Sequence, residues 1–227
     1  MPSLIKLARI QGSDIIVGFG GDDVLSGDAG SDEMYGNLGN DWMDGGDGDD
    51  AILGGVGNDG IAGQIGNDRI DGGEGNDTLF GNVGDDLILA GQENDLAEGN
   101  AGNDFGNAGD DLIKGGEGDD WLLGGKDNDT LIGGVGNDAM FGNLGDDSLI
   151  GGDGGDFFGF RSGDGNDIIA DFQNGVDIIG LETTFSFTDV AITQVDADTR
   201  IVVGDLSITL QGVNATSISE ADFAFIV

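Results

Sequence analysis

The stretch Gly-Gly-Glu-Gly-Asn-Asp-Thr-Leu-Phe at residues 72–80 is one copy of a nine-residue unit that repeats from residue 18 to residue 159. Gly-Gly-Val-Gly-Asn-Asp occurs at residues 54–59 and again at residues 133–138, and residues 115–123 read Gly-Gly-Glu-Gly-Asp-Asp-Trp-Leu-Leu. About sixteen nearly contiguous copies of one short unit indicate that the chain is a stack of similar coils.

Each unit divides into a turn and a strand. Its first six positions are mostly Gly, Asn and Asp, which favour tight turns. Its last three positions predict a short strand whose middle side chain points to one face. We expect these middle residues to form a continuous core, and they are Leu25, Met34, Met43, Ile52, Ile61, Ile70, Leu79, Ile88, Ala97, Ile113, Leu122, Leu131, Met140, Leu149 and Phe158.

The sixth position of the unit is an aspartate throughout. The series is Asp23, Asp32, Asp41, Asp50, Asp59, Asp68, Asp77, Asp86, Asp95, Asp104, Asp111, Asp120, Asp129, Asp138, Asp147 and Asp156. Neighbouring carboxylates in a stack would lie roughly 5 Å apart and repel one another. A hard cation with oxygen ligands resolves this conflict, and calcium accepts six to eight oxygens in flexible geometry.

The unit resembles the Gly-Gly-x-Gly-x-Asp-x-U-x nonapeptide of the RTX calcium-binding repeat family, where U is a large apolar residue. The resemblance implies an all-β, right-handed parallel β-roll with two nonapeptides per turn. It also implies that calcium lies between successive turns, held by sixth-position carboxylates and turn carbonyl groups. One implied column is Asp32, Asp50, Asp68, Asp86, Asp104, Asp120, Asp138 and Asp156, and the other is Asp23, Asp41, Asp59, Asp77, Asp95, Asp111, Asp129 and Asp147.

The charge of the chain agrees with a protein that binds many cations. It has 45 acidic and 7 basic residues, a formal net charge of −38. Two columns would hold on the order of fourteen calcium ions, whose charge of about +28 offsets most of this excess. No basic patch is available for a nucleic acid. Composition alone also permits a disordered acidic linker, but the core residues kept in phase with the aspartates argue against it in the presence of calcium. Without calcium we expect disorder.

The absence of certain residue types and segments excludes several classes of function. The chain lacks Cys and His, which excludes disulfides, a thiolate nucleophile and a Ser–His triad, so we expect no enzyme activity. No apolar run approaches the roughly 20 residues of a membrane-spanning helix. The N-terminus lacks the apolar region of a cleaved secretion signal.

The segments that flank the repeat are interpreted as caps. Residues 1–17 are predicted to cap the roll, with Asp14 as a further ligand, or alternatively to dock another copy. Residues 18–159 are predicted to form the repeat and residues 160–227 to cap it. The final residues, Glu-Ala-Asp-Phe-Ala-Phe-Ile-Val, resemble the uncleaved C-terminal signal of type I secretion substrates. The segment 162–179 resembles the one that closes the β-roll of serralysin-type and other type I secreted proteins, which makes Asp167 and Asp177 candidate last ligands. Strands are expected at residues 190–195, 199–203 and 206–210.

The repeat has a flaw at residues 90–106. Glu93 replaces a fourth-position glycine, as Asp127 does further on, and residues 99–105 form a unit of seven residues that lacks its core position. We expect a missing core residue beside Ala97 and a poorer ion site in this region.

The outward-facing positions favour a binding surface. One face includes the aromatic residues Tyr35, Trp121, Phe141 and Phe157. The third position, at the tips of the turns, is apolar in Leu38, Val56, Ile65, Val83, Val135 and Leu144. A large apolar patch indicates a contact surface, unless the C-terminal region folds over it.

The leading hypothesis is a non-enzymatic protein, exported by a type I system, that folds on calcium outside the cell. It would self-assemble into a surface layer, matrix or filament through the apolar face or the caps. One alternative is a folding and secretion module that serves a separately encoded enzyme. A glycan- or ice-binding module is a further alternative, with polysaccharide bound through Trp42, Trp121 and Tyr35.

Overall fold

The computed structural model describes residues 12–84, 86–100 and 102–226, with the backbone alone for residues 100 and 102–108. Residues 1–11 of the predicted N-terminal cap therefore lie outside the described residues. The strands are β1 (Ile15–Val17), β2 (Val24–Ser26), β3 (Glu33–Leu38), β4 (Trp42–Asp47), β5 (Ala51–Val56), β6 (Gly60–Ile65), β7 (Arg69–Glu74), β8 (Thr78–Val83), β9 (Asp86–Gln92), β10 (Leu96–Asn100), β11 (Gly102–Ala108), β12 (Leu112–Glu117), β13 (Trp121–Lys126), β14 (Thr130–Val135), β15 (Ala139–Leu144), β16 (Ser148–Asp153), β17 (Phe157–Phe160), β18 (Asn166–Ile169), β19 (Ile178–Glu182), β20 (Ala191–Val195), β21 (Asp198–Val203), β22 (Leu206–Leu210) and β23 (Phe223–Ile226). Short 3₁₀ turns span Phe187–Asp189, Ala215–Ser217 and Glu220–Asp222.

The strands alternate between two sheets. Strands β1, β3 and the odd-numbered strands up to β19 form one sheet that ends in β23, which we call the odd sheet. The even-numbered strands from β2 to β18 form the even sheet, which ends in β22, β21 and β20. Along most of the repeat a residue pairs in parallel with the residue 18 positions later, as Ile52 pairs with Ile70. Two units therefore complete one turn, and the predicted parallel β-solenoid is confirmed.

The predicted core is confirmed as well. Because side chains alternate along a strand, the eighth position of each unit points between the two sheets. All fifteen predicted core residues are between 0 % and 3 % exposed. Full burial of one such aliphatic side chain contributes about 1.5–3 kcal/mol. These core residues are the main apolar contribution to the stability of the fold, because the turns consist mostly of Gly, Asn and Asp and their apolar tips are exposed.

The seven-residue unit changes the register of both sheets by two residues. Leu96 pairs with Leu112, 16 positions later, and Asn103 pairs with Leu87, 16 positions earlier. The strand keeps its full length in this unit, whereas the turn before it is shortened. Within the described side chains the apolar core divides here, because one cluster ends at Ala97 and the next begins at Ile113.

This register corrects the prediction for Asp104. The sequence placed Asp104 in the row of Asp86 and Asp120, but its backbone pairs with Ile88 and Leu122, which belong to the core row. Gly102 pairs with Asp86 instead. The row of aspartates is therefore interrupted by a glycine at this level.

The C-terminal region extends the roll along its axis. Strands β18 and β22 continue the even sheet, and β19 and β23 continue the odd sheet. Strands β20, β21 and β22 form an antiparallel end to the even sheet, which confirms the three strands expected there. Strands β19 and β23 therefore continue the odd sheet beyond β17, the strand that contains Phe157. No helix in the described ranges has the length and hydropathy needed to span a membrane.

Candidate metal centre

The sixth-position aspartates form two hydrogen-bonded columns, one along each row of turns. In each link the backbone N–H of one aspartate donates to Oδ1 of the aspartate in the next turn, as from Asp50 to Asp68 at 2.8 Å. The same bond joins Asp59 to Asp77 at 2.8 Å in the other column. This bond fixes the side chain rotamer, so the second carboxylate oxygen has a defined direction.

The second oxygen, Oδ2, is buried and lacks a hydrogen-bond partner in nearly every member. These orphan oxygens belong to Asp14, Asp32, Asp41, Asp50, Asp59, Asp68, Asp77, Asp95, Asp111, Asp129, Asp138, Asp147, Asp156 and Asp167. A buried charged oxygen without a partner is strongly unfavourable, because folding removes its water and supplies nothing in return. The repetition of this arrangement along both columns therefore indicates that a cation is the natural partner of these oxygens.

The surroundings of Oδ2 suit such a partner. At Gly133, the first residue of its unit, an added Cβ would lie 2.6 Å from the carbonyl oxygen of Gly151, and it would also collide with Oδ2 of Asp138. Glycine at this position therefore leaves a small space lined by a carboxylate oxygen and a carbonyl oxygen. Within the described residues no three acidic side chains converge on one point. Backbone carbonyl groups would therefore have to complete the coordination of a cation, and hard oxygen ligands of this kind suit calcium.

Burial raises the pKa of these carboxyl groups, and neighbouring carboxylates raise it further. The pKa rises to about 6 for Asp50, Asp68, Asp77, Asp111, Asp138 and Asp156, to about 7 for Asp59, Asp95 and Asp167, and to about 8 for Asp129. The pKa values of Asp41, Asp147 and Asp177 are raised for the same first reason. Each donated backbone N–H partly opposes the shift. The folded chain therefore favours the neutral carboxyl groups, unless a cation stabilises the charged form.

Two predicted ligands differ from the rest. Asp177 ends its column with both oxygens occupied, because Oδ1 accepts from the backbone of Asp156 and Oδ2 accepts from the backbone of Gln173. The backbone of Asp104 lies in the core row. The structure thus brings all predicted aspartates except Asp104 into the two rows, and Asp177 is a closing hydrogen-bond acceptor.

A second ladder runs along the fifth position of the units, and the sequence analysis missed it. Here the side chain oxygen accepts from the backbone N–H of the next turn, as Asn40 does from Asn58 at 2.8 Å and Asp119 does from Asn137 at 2.7 Å. Its direction is opposite to that of the sixth-position columns. The signal was present as the Asn or Asp that precedes most of the ligand aspartates. This exposed ladder holds the turns at a fixed separation.

The outer surfaces carry apolar side chains at the positions that the sequence indicated, some exposed and some half-buried. On the odd sheet Trp121, Phe141 and Phe157 form a continuous row, with ring centroids 5.4 Å and 5.9 Å apart. The six predicted turn tips are between 43 % and 63 % exposed, and they are Leu38, Val56, Ile65, Val83, Val135 and Leu144. Apolar surface is therefore available both on one sheet and along the turns.

Comparisons with known proteins agree with this geometry. The RTX calcium-binding nonapeptide repeat family matches the chain in eight overlapping segments that together span residues 11–158. The segments are residues 11–34, 26–61, 54–88, 62–97, 80–105, 98–131, 105–140 and 123–158. A comparison with curated proteins gives no match.

Similar solved structures include the extracellular lipase LipA from Serratia marcescens, with 20% identity and a TM-score of 0.41, over 86% of this chain and 45% of the lipase. The AlgE6R3 subunit of the mannuronan C5-epimerase from Azotobacter vinelandii is 20% identical with a TM-score of 0.23, over 80% of each chain. This chain thus spans less than half of the lipase. The family match over most of the chain, together with the nine-residue register and its two aspartate columns, shows that the protein belongs to the RTX calcium-binding nonapeptide repeat family.

Proposed function

We propose that the protein is a non-enzymatic extracellular calcium-binding protein whose folding is driven by calcium. The observation that carries this proposal is the repeated orphan Oδ2 oxygen at the sixth position of the turns. The proposed ligands are the aspartates that occupy the two hydrogen-bonded columns, from Asp14 and Asp23 to Asp156 and Asp167, together with turn carbonyl groups. Calcium would supply positive charge and accept oxygen ligands there.

The residues of the chain perform the remaining tasks. The hydrogen bond from a backbone N–H to Oδ1 orients each carboxylate, and the first-position glycine leaves space beside Oδ2. The apolar core holds successive turns together. Since the folded chain alone buries unpaired carboxylates, a cation that binds only the folded state stabilises it by mass action. We expect roughly fourteen ions, because Asp14 and Asp167 extend the columns while Gly102 interrupts one of them.

The coupling of folding to calcium suits a protein exported unfolded. Calcium is scarce in the cytosol and plentiful outside, so the chain would remain unfolded until export by a type I system. In this proposal residues 1–17 and 160–227 cap the roll, and the C-terminal residues also carry the export signal. The chain would then act outside the cell or at its surface.

Self-assembly into a surface layer, matrix or filament is the second part of the proposal. It is supported by the apolar turn tips, because side chains such as Val83 (63 % exposed) and Leu38 (59 % exposed) project from the edges of the roll. Repeated apolar groups on a rigid solenoid favour contact with another copy.

Electron microscopy and sedimentation with and without millimolar calcium test this part. We expect sheets or filaments to form only after calcium is added. A folded, calcium-loaded monomer at high concentration would contradict assembly and favour the alternative of a folding and secretion module. Binding of that monomer to a polysaccharide would instead favour the glycan-binding alternative.

A further inference from the structure

In the C-terminal half of the roll the two rows of turns differ in the charged side chains beside an apolar tip. Lys126 and Arg161 lie on one row, where Asp127 and Asp146 are also exposed, and Glu117 and Asp153 lie on the other. We define the cationic edge by Lys126 and Leu144, which end strands of the odd sheet, and Arg161, which follows β17; all three line one cavity. We define the anionic edge by Glu117, Val135 and Asp153, which end successive strands of the even sheet. The two edges lie on opposite sides of the same turns, since the chain alternates between the sheets every nine residues.

The cationic edge is a recess. Its cavity has a volume of about 420 Å³ and is lined by Lys126, Leu144, Arg161, Ser162 and Asp164, together with parts of the neighbouring turns. Lys126 and Arg161 are exposed, and Leu144 between them is 50 % exposed. Asp164 is buried and accepts from the backbone N–H of Arg161, so the formal charge of the cavity is +1. In a chain of net charge −38 with only seven basic residues, two cations around one cavity mark a distinct surface.

The anionic edge is a matching ridge. Glu117 pairs with Val135 and Val135 pairs with Asp153, so an acidic, an apolar and an acidic side chain follow at the strand spacing of roughly 4.8 Å. All three side chains are exposed, Val135 at 55 %. The cationic edge has the same periodicity, because Lys126 and Leu144 also pair on neighbouring strands. Lys126 and Leu144 therefore match Glu117 and Val135 in register, and Arg161, which follows strand β17, lines the same cavity.

We propose that the cationic edge of one copy binds the anionic edge of a second copy, with the two roll axes parallel. The contact would place Val135 against Leu144 and would flank this apolar pair with two ion pairs. Isolated surface ion pairs contribute little, but several of them around an apolar contact select partner and register. This inference rests on the proposed self-assembly and names the surface that mediates it.

The contact is heterologous, since two different edges of the molecule meet. Such contacts do not form a closed ring when the copies are related by a translation perpendicular to the roll axis. They therefore generate open rows of molecules. Each copy would bind one neighbour through its cationic edge and a second neighbour through its anionic edge. Lateral rows of parallel rolls are the expected product, and they require both edges on every copy.

Charge reversal on each edge, followed by mixing, tests the inference. One variant carries Lys126→Glu and Arg161→Glu, and the other carries Glu117→Lys and Asp153→Lys. In calcium at low salt we expect self-association of either variant alone to be weaker by about tenfold or more, because like charges then face each other. An equimolar mixture is expected to recover association, since every contact in an alternating row again joins opposite charges. Sedimentation velocity and electron microscopy give the readout.

The controls separate the possible failures. The variant Arg69→Glu, Lys114→Glu changes the net charge equally but alters sheet surfaces, so its association is expected to remain near that of the unmodified protein. Each variant is first checked for calcium-induced circular dichroism, and the neutral variants Lys126→Gln, Arg161→Gln and Glu117→Gln, Asp153→Asn replace any that fail to fold. Association that survives both reversals, or a mixture that does not recover, overturns the edge contact alone. Absence of association in the unmodified protein overturns the proposed assembly as well.

Discussion

The double variant Asp68→Lys, Asp86→Lys is expected to remain unfolded in millimolar calcium. The backbone N–H of Asp68 donates to Oδ1 of Asp86 at 2.8 Å, and Oδ2 of Asp68 is buried without a hydrogen-bond partner. Lysine would remove two adjacent carboxylates and bury two cations beside the proposed ion positions. Uncompensated buried charges cost about 3–5 kcal/mol each, which is a large part of the stability of a domain. The measurement is far-ultraviolet circular dichroism during a calcium titration.

A matched control separates the loss of ligands from the change in net charge. The variant Asp47→Lys, Glu74→Lys alters the charge by the same amount at exposed turn tips on the same region of the roll. We expect this control to fold with a calcium midpoint close to that of the unmodified protein. A normal calcium-induced β signal in the Asp68 and Asp86 variant would contradict the assignment of the columns as ligands.

The pH dependence of folding is expected to have opposite signs with and without calcium. Burial raises the folded-state pKa of Asp59 to about 7 and that of Asp129 to about 8, above the ordinary value for aspartate. A raised folded pKa means that stability is greatest below the unfolded pKa and is lost as pH rises through the folded pKa. Without calcium, the chain should therefore gain structure as pH falls from about 8 to about 5.

In limiting calcium the trend reverses, because protons compete with the cation for the same carboxylates. The calcium midpoint should rise as pH falls through the window from about 8 to about 6. Circular dichroism at fixed protein concentration checks both arms. Structure that increases with pH in the absence of calcium would contradict the burial of unpaired carboxylates.

Much of the fold follows from the repeat itself. A period of nine with one apolar residue at the eighth position fixes both the strand and its inward face, and every predicted core residue is buried. The turn tips were predicted to be exposed, and they are. These features were predictable because each depends on the local unit and is reinforced by identical neighbours.

The position of Asp104 could not be predicted in the same way. Its motif, Gly-Asn-Asp, matches that of the other ligands, but two missing residues can be taken either from the strand or from the turn. The strand pairs with β9 and β13, so shortening it would leave ladder hydrogen bonds unmade on both sides. Shortening the turn preserves them, and Asp104 then lies in the core row. This choice depends on neighbours 16 and 18 residues away.

The detailed hydrogen bonding of the site also required the structure. The sequence indicated paired carboxylates but not that one oxygen of each is already occupied by a backbone N–H. Likewise, Asp177 resembles the other ligands in sequence, although both of its oxygens accept backbone donors. The direction of a side chain depends on the register of the next turn, which a single unit does not contain.

Folding of the unmodified protein as a function of calcium tests the central claim most directly. The measurement combines far-ultraviolet circular dichroism with a count of bound calcium at each point of the titration. We expect a chain without stable β structure in chelator near neutral pH, and a steep transition to β structure accompanied by the uptake of roughly fourteen ions per chain. A full β signal in chelator, or a folded protein that takes up only one or two ions, would contradict the account.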